Sequence, residues 1–305
     1  MTGVIGGVAL FLFGIQLLGE GLQKAVGKRL RRVLEHLTGS VARGAFVGCL
    51  ITAVVQSSSA TTVLTVTFVD AGLLSLRQAI GVILGANVGT TVTAQLVALD
   101  LEFLAGPAVF LGAFLFFSSR FGPTRELGRV IFGFGLLFAG MGLMSRYLSV
   151  LSAHPFFPAL IRALAHSPGT AVLAGACVTG IFQSSSVVIA MVIALADQGA
   201  IDLKGAIGFV LGSNIGTTVT ALLASIGTGM NARRAAAVHF IFNVLGVLAI
   251  FPFFAAFGQL VACTSPDLPR QVANAHTLFN LLTVILCLPF AGILERLVIT
   301  LMPGG

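Results

Sequence analysis

Residues 48–94, GCLITAVVQSSSATTVLTVTFVDAGLLSLRQAIGVILGANVGTTVTA, return as residues 175–221, GACVTGIFQSSSVVIAMVIALADQGAIDLKGAIGFVLGSNIGTTVTA. The two stretches align without a gap at an offset of 127, and 21 of the 47 positions are identical. Self-similarity of this kind marks a duplicated structural unit. The identities gather at polar residues. Gln56-Ser57-Ser58-Ser59 repeats as Gln183-Ser184-Ser185-Ser186, and Gly85-Ala86-Asn87-Val88-Gly89-Thr90-Thr91-Val92-Thr93 as Gly212-Ser213-Asn214-Ile215-Gly216-Thr217-Thr218-Val219-Thr220.

The surroundings of these polar motifs are apolar. Of 305 residues, 57% are hydrophobic and 9% charged, with a mean hydropathy of +1.05. A soluble domain carries about 25% charged residues, so an ordinary soluble protein is excluded. The composition, with 37 Gly and no Trp, describes an all-α polytopic membrane protein, in which glycine lets helices approach closely. The formal charge of +7 is explained by basic cytoplasmic loops, and no nucleic-acid partner is expected. Cys49, Cys177, Cys263 and Cys287 have no metal-ligand spacing and read as packing residues.

Apolar runs predict spans at residues 3–22, 79–99, 103–118, 130–150, 206–227, 235–257 and 274–294. The first is read as a retained span, because no basic segment precedes it. Residues 41–75 and 169–201 fit neither one span nor two. Each consists of two short arms joined at QSSS, which predicts a re-entrant hairpin with QSSS at its tip. In that scheme every Lys and Arg except Arg146, Arg162, Lys204 and Arg270 lies on the cytoplasmic side, a better positive-inside balance than single long crossings give. The N-terminus is then outside and the C-terminus cytoplasmic. One repeat period contains an odd number of crossings, so the second copy is inverted in the membrane, a secondary-transporter design. The expected organisation is a first inverted repeat at 1–128, a second at 129–257, and a final loop, span and tail at 258–305. The Gly-Asn-Gly motifs are expected to break their helices around a central cavity.

The side chains gathered near the midplane are uncharged. Hydroxyls and amides offer donors to an oxyanion and acceptors to a hard cation, and helix N-termini at the tips favour an anion. A dianion without Lys or Arg costs several kcal/mol or more to desolvate, which suggests that Na+ binds with it. The same oxygens could also serve another oxyanion or a neutral polar solute.

The paired QSSS tetrapeptides, each followed by G-[AS]-N-[VI]-G-T-T, resemble the sodium-dependent inorganic phosphate cotransporter family. The resemblance covers residues 3–294, including His239-Phe240-Ile241-Phe242-Asn243 and His276-Thr277-Leu278-Phe279-Asn280, which are similar to the family's H-x-x-F-N stretch. It implies an elevator-like or rocking carrier of phosphate. The phosphate site is expected at Gln56, Ser57, Ser58, Ser59, Gln183, Ser184, Ser185 and Ser186, with Asn87 and Asn214. Sodium is expected at Gln56, Ser213, Thr217 and Thr220, together with Thr90, Thr91 and Thr218. No cofactor is expected beyond Na+ as coupling ion; the bilayer is the expected setting, and a homodimer is plausible for such a carrier. The chain stops at Gly305, without the PhoU-like domain of many bacterial relatives, and the linker at residues 152–168 is short and without Cys. The short linker points to a compact prokaryotic carrier, and the cell inner membrane is the expected location.

Blander readings accompany these. Asp70 and Asp197 suit a turn or cap. His239 and His276, each four residues before an Asn, suit helix–helix hydrogen bonding. The basic run Lys24 to Arg32 suits a membrane-surface anchor. A competing function, an intramembrane hydrolase with a QSSS serine as nucleophile and His239 or His276 as base, needs one activated serine rather than a duplicated triplet.

Overall fold

The computed structural model describes residues 2–26, 40–99, 101–119 and 121–303, and every element among them is helical. The basic run from Lys28 to Arg32 lies outside the described residues. Helix α1 is Thr2–Val26, followed by α2 (Val41–Val55), α3 (Ser58–Asp70) and α4 (Leu76–Val97). A 3-10 turn, Glu102–Leu104, leads into α5 (Ala105–Ser118), and α6 (Pro123–Ser152) comes next. Helix α7 (Phe156–Leu164) precedes α8 (Pro168–Phe182), α9 (Ser185–Asp197), α10 (Leu203–Gly216) and α11 (Thr218–Ala224). The chain closes with α12 (Met230–Ile250), α13 (Phe254–Ala262), α14 (Leu268–Cys287) and α15 (Ala291–Leu301).

The duplication is visible in the element bounds. Adding 127 to the bounds of α2 and α3 gives those of α8 and α9, and the same shift carries α4 onto α10 and α11 together. The helix ends follow from local chemistry. Gln56 (φ 58°) and Gln183 (φ 53°) are left-handed, and each turns its N–H back to Thr52 or Thr179. Ser57 and Ser184 are extended and cap the next helix by accepting from the N–H of Ala60 and Val187. At 15 and 13 residues, the arms are about 22 and 20 Å long, short of the roughly 30 Å hydrocarbon core.

Among the described residues, six helical stretches are long and apolar enough to cross a membrane: Thr2–Lys24, Leu76–Val97, Pro123–Ser152, Leu203–Ala224, Met230–Ala262 and Leu268–Leu301. The remaining expected span, at 103–118, is a shorter apolar stretch, Glu102–Ser118, made of the 3-residue 3-10 turn and the 14 residues of α5. The expected linker is not a loop, since it forms α7, bent by 106° from α8. The joints expected at 128/129 and 257/258 fall inside α6 and α13.

The Gly-Asn-Gly motif does not unwind in the first copy, where α4 runs uninterrupted through it. In the second copy the interruption is Thr217 alone, with near-helical dihedrals (φ −60°, ψ −25°). The glycines serve close packing instead. A methyl group on Gly85 or Gly89 would overlap the carbonyl oxygen of Ala45 or Cys49 on α2, and Gly212 and Gly216 meet Val172 and Ala176 on α8 in the same way. Small residues that let backbones touch are how helices associate where lipid removes the hydrophobic drive.

Helix α1 packs antiparallel along α6 on the same principle, with Gly7 against Gly140 and Gly14 against Gly133. Outward faces are apolar: Phe110, Phe114 and Phe117 of α5 are exposed, as suits a lipid-facing surface. A second, shorter duplication joins the last four helices. The Phe-Pro-Phe turn Phe251–Phe253 and the Leu-Pro-Phe turn Leu288–Phe290 are 37 residues apart, as are His239 and His276, and Asn243 and Asn280. Proline removes a helical N–H and clashes one turn back, so each long stretch is interrupted at the same place. The two meet where Gly246 packs against Thr283, its own counterpart.

Candidate functional site: a cavity between the two QSSS tips

The two left-handed glutamines bring both tips to one place. A cavity of about 530 Å³ is lined by all eight residues Gln56 to Ser59 and Gln183 to Ser186. The tips touch directly, since Ser59 Oγ donates to the Gln183 carbonyl at 3.3 Å. Because Ser57 and Ser184 cap α3 and α9, those helices begin at the cavity, and their N-terminal N–H groups and dipoles favour an anion there. A non-glycine residue in the left-handed region costs about 1 kcal/mol or more. Both copies accept that cost to put glutamine, not glycine, at the turn.

The tips are alike in sequence and unlike in detail. Gln56 is buried, its Oε1 accepts from Thr93 Oγ1 at 2.8 Å, and its Nε2 donates to the Ala53 carbonyl. Gln183 is exposed to the cavity, and Thr220, the counterpart of Thr93, has a buried hydroxyl without a hydrogen-bond partner. The Thr93→Val protein is expected to lose about 1–3 kcal/mol of stability, because the Gln56 carbonyl is stranded. Thr220→Val is expected to be neutral or stabilising, because the hydroxyl removed is already unpaired. Thermal melting of both variants in one detergent checks the opposite signs.

Other expected ligands are placed elsewhere. Asn87 and Asn214 are not in the cavity wall. Asn87 Oδ1 lies 3.4 Å from His239 Nε2 on α12, and Asn214 Nδ2 donates to the Val210 carbonyl of its own helix. The hydroxyls of Thr90, Thr91, Ser213, Thr217 and Thr218 each donate to a carbonyl three or four residues back. Their oxygens keep lone pairs, but Gln56 is bonded to Thr93 rather than to this group. His239 reaches across to another helix as expected. His276 is buried, with neither ring nitrogen hydrogen-bonded. Asp70 acts as a cap, accepting from the Gly229 N–H at 2.7 Å.

Sequence reasoning missed the third wall, which is α1. Gln16, Gly19, Glu20 and Gln23 line the cavity together with the tips, and a methyl on Gly19 would overlap the Val55 carbonyl beside Gln56. The signal was present: Gln16, Glu20 and Gln23 follow the i, i+4, i+7 spacing of one helix face within an otherwise apolar span. Glu20 pairs with Arg129 of α6, which is buried, sits 5.1 Å over the Phe116 ring, and also lies 3.2 Å from Glu126.

Fold and site together define an all-α polytopic membrane protein with a polar, hydroxyl-rich cavity at the junction of two like hairpins. The chain belongs to the Na+/Pi-cotransporter family, whose model matches it twice, over residues 10–146 and 151–288. It is 33% identical over 296 residues to the uncharacterized protein YqeW of Bacillus subtilis, covering 97% of this chain and 96% of that one. It is 30% identical over 250 residues to the putative inorganic phosphate export protein YjbB of Escherichia coli K12, covering 82% of this chain and 46% of that one. This chain therefore spans about half the length of YjbB. A stretch of 82 residues, 26% of this chain and 14% of that one, is 49% identical to the human sodium-dependent phosphate transport protein 2C. No solved structure matches.

Proposed function

We propose that this chain is a secondary active carrier that moves inorganic phosphate across a cell inner membrane, coupled to Na+. The observation that carries the proposal is the convergence of both QSSS tips on one cavity. Six serines, of which Ser59 already donates to the Gln183 carbonyl, two glutamines and two helix N-termini supply donors there for a tetrahedral oxyanion, with no Lys or Arg among the described residues of the wall. The family, and relatives named for phosphate export and for sodium-dependent phosphate transport, support phosphate as the substrate and Na+ as the ion. One Na+ moving through 100 mV supplies about 2.3 kcal/mol. With residues 103–118 counted as a span, the crossings per repeat are odd, which supports an inverted second copy, and the positive-inside balance of Lys and Arg supports an N-terminus outside and a C-terminus in the cytoplasm.

The hydrolase reading loses ground on geometry. A serine nucleophile needs a base within hydrogen-bond reach, and neither His239 nor His276 has a hydrogen bond to any QSSS serine. Uptake of 32P-phosphate into proteoliposomes holding the purified protein tests the proposal. Uptake is expected with an inward Na+ gradient and not with K+ or choline. Folded protein that shows no uptake with Na+ would overturn it, and uptake with every cation would remove the Na+ coupling alone.

A further inference from the structure

Glu20 is the one ionisable side chain among the described residues that line the cavity between the tips. A carboxylate in the wall of an anion site is out of place on charge alone, yet it is held there by two partners. Gln16 Nε2 donates to its Oε1 at 3.1 Å, and Arg129 NH1 donates to its Oε2 at 2.5 Å. The pair is polarised in space: the Glu20 side chain is 39% exposed and Arg129 only 9%. Arg129 thus sits behind Glu20, compensating its charge without itself entering the cavity wall. Each carboxylate oxygen has a second lone-pair position, so a pure hydrogen-bond acceptor lines the same cavity as the serine hydroxyls.

We infer that Glu20 is a specificity-determining residue that accepts a hydrogen bond from the P–OH group of protonated phosphate and so selects phosphate against sulfate. Serine hydroxyls and helix N–H groups donate to any tetrahedral oxyanion and cannot tell these two apart. Near neutral pH phosphate carries a proton and sulfate carries none. Phosphate satisfies the carboxylate with that proton. Sulfate sets an anionic oxygen against it with no proton between, which leaves two acceptors desolvated and repelling each other. Specificity of this kind comes from what the site does to the wrong ligand. The inference rests on the phosphate reading and deepens it.

Competition against 32P-phosphate uptake by the full chain in proteoliposomes at neutral pH reads the effect. In the wild-type protein arsenate, which is protonated at that pH, is expected to compete, and excess sulfate is not. In Glu20→Gln, whose amide donates as well as accepts, the preference for phosphate over sulfate is expected to fall by about 10- to 100-fold, the worth of one charge-assisted hydrogen bond. Glu20→Asp is expected to keep the preference at lower affinity. Glu126→Gln, which alters the Arg129 pairing but lies outside the cavity wall, is expected to keep wild-type selectivity. Sulfate competing as well as arsenate in the wild-type protein would overturn the inference, and this holds even if Glu20→Gln fails to fold. Unchanged selectivity in Glu20→Gln, or an equal loss in Glu126→Gln, would overturn it too. In each of these cases phosphate uptake by the wild-type protein persists, whereas its absence is the separate failure of the phosphate reading itself.

Discussion

Replacing both Ser58 and Ser185 with alanine lowers Na+-driven phosphate uptake by more than about 100-fold, while each single replacement costs about 10-fold; each lost hydrogen bond to an anion is worth roughly 1.5–3 kcal/mol. The two serines are the first residues of α3 and α9, are 5% and 4% exposed, and line the cavity. They are not the capping residues. Ser57 and Ser184 do that work, so removing the Ser58 and Ser185 hydroxyls leaves both helix starts intact. The double variant is therefore expected to melt within a few degrees of wild type, since neither hydroxyl caps a helix and each is lost with its own polar group rather than leaving a partner stranded. Initial uptake rates and thermal midpoints measured on the same preparations separate the two effects. Full activity in the double variant would remove the hairpin tips as the phosphate site.

The largest structural loss is expected from Gly85→Ala and Gly212→Ala. In both, the added methyl group overlaps a backbone carbonyl oxygen, that of Ala45 or Val172, and not the mobile end of a side chain. Overpacking usually costs about 1–3 kcal/mol, and a clash with paired helix backbone falls at or above the upper end. Neither variant is expected to yield monodisperse protein at the wild-type level in detergent. Gly106→Ala is the control, because a methyl group there meets nothing within 4 Å. Alanine is the better helix former by up to about 1 kcal/mol, so that variant melts at the wild-type temperature or slightly above. Wild-type yield and melting in Gly85→Ala would mean that α2 and α4 can separate without cost.

The hairpins were legible in the sequence because their arms are too long for one crossing, too short for two, and joined at a polar tetrapeptide. The Gly-Asn-Gly motif was misread in part for an equally physical reason. Glycine weakens a helix and also opens a groove for another backbone, and only the position of α2 or α8 decides which. Gln16, Glu20 and Gln23 stayed hidden because the apolar residues of α1 dominate any window that includes them. Asn87 was expected among the polar side chains near the midplane; that its side chain turns to His239, 152 positions away, could not be read from the sequence. The recurrence of H-x-x-F-N was visible in one dimension, but its extension through Pro252 and Pro289 into matched interrupted helices emerged only with the element bounds. Residues 152–168 looked like a connector because a helix of nine residues such as α7 is shorter than any spanning segment.

The unequal conformations of Gln56 and Gln183 have an energetic consequence. The two side-chain bonds that tuck Gln56 away have counterparts in the other half: Thr220 for Thr93, and the Gly180 carbonyl for that of Ala53. Tucking Gln183 against Thr220 while releasing Gln56 would trade one set of bonds for its twin. The free-energy difference between the two arrangements then depends on the sequence differences between the copies. Two copies of one hairpin thus set a glutamine in each of two side-chain arrangements at one cavity, one bonded to a threonine and one open.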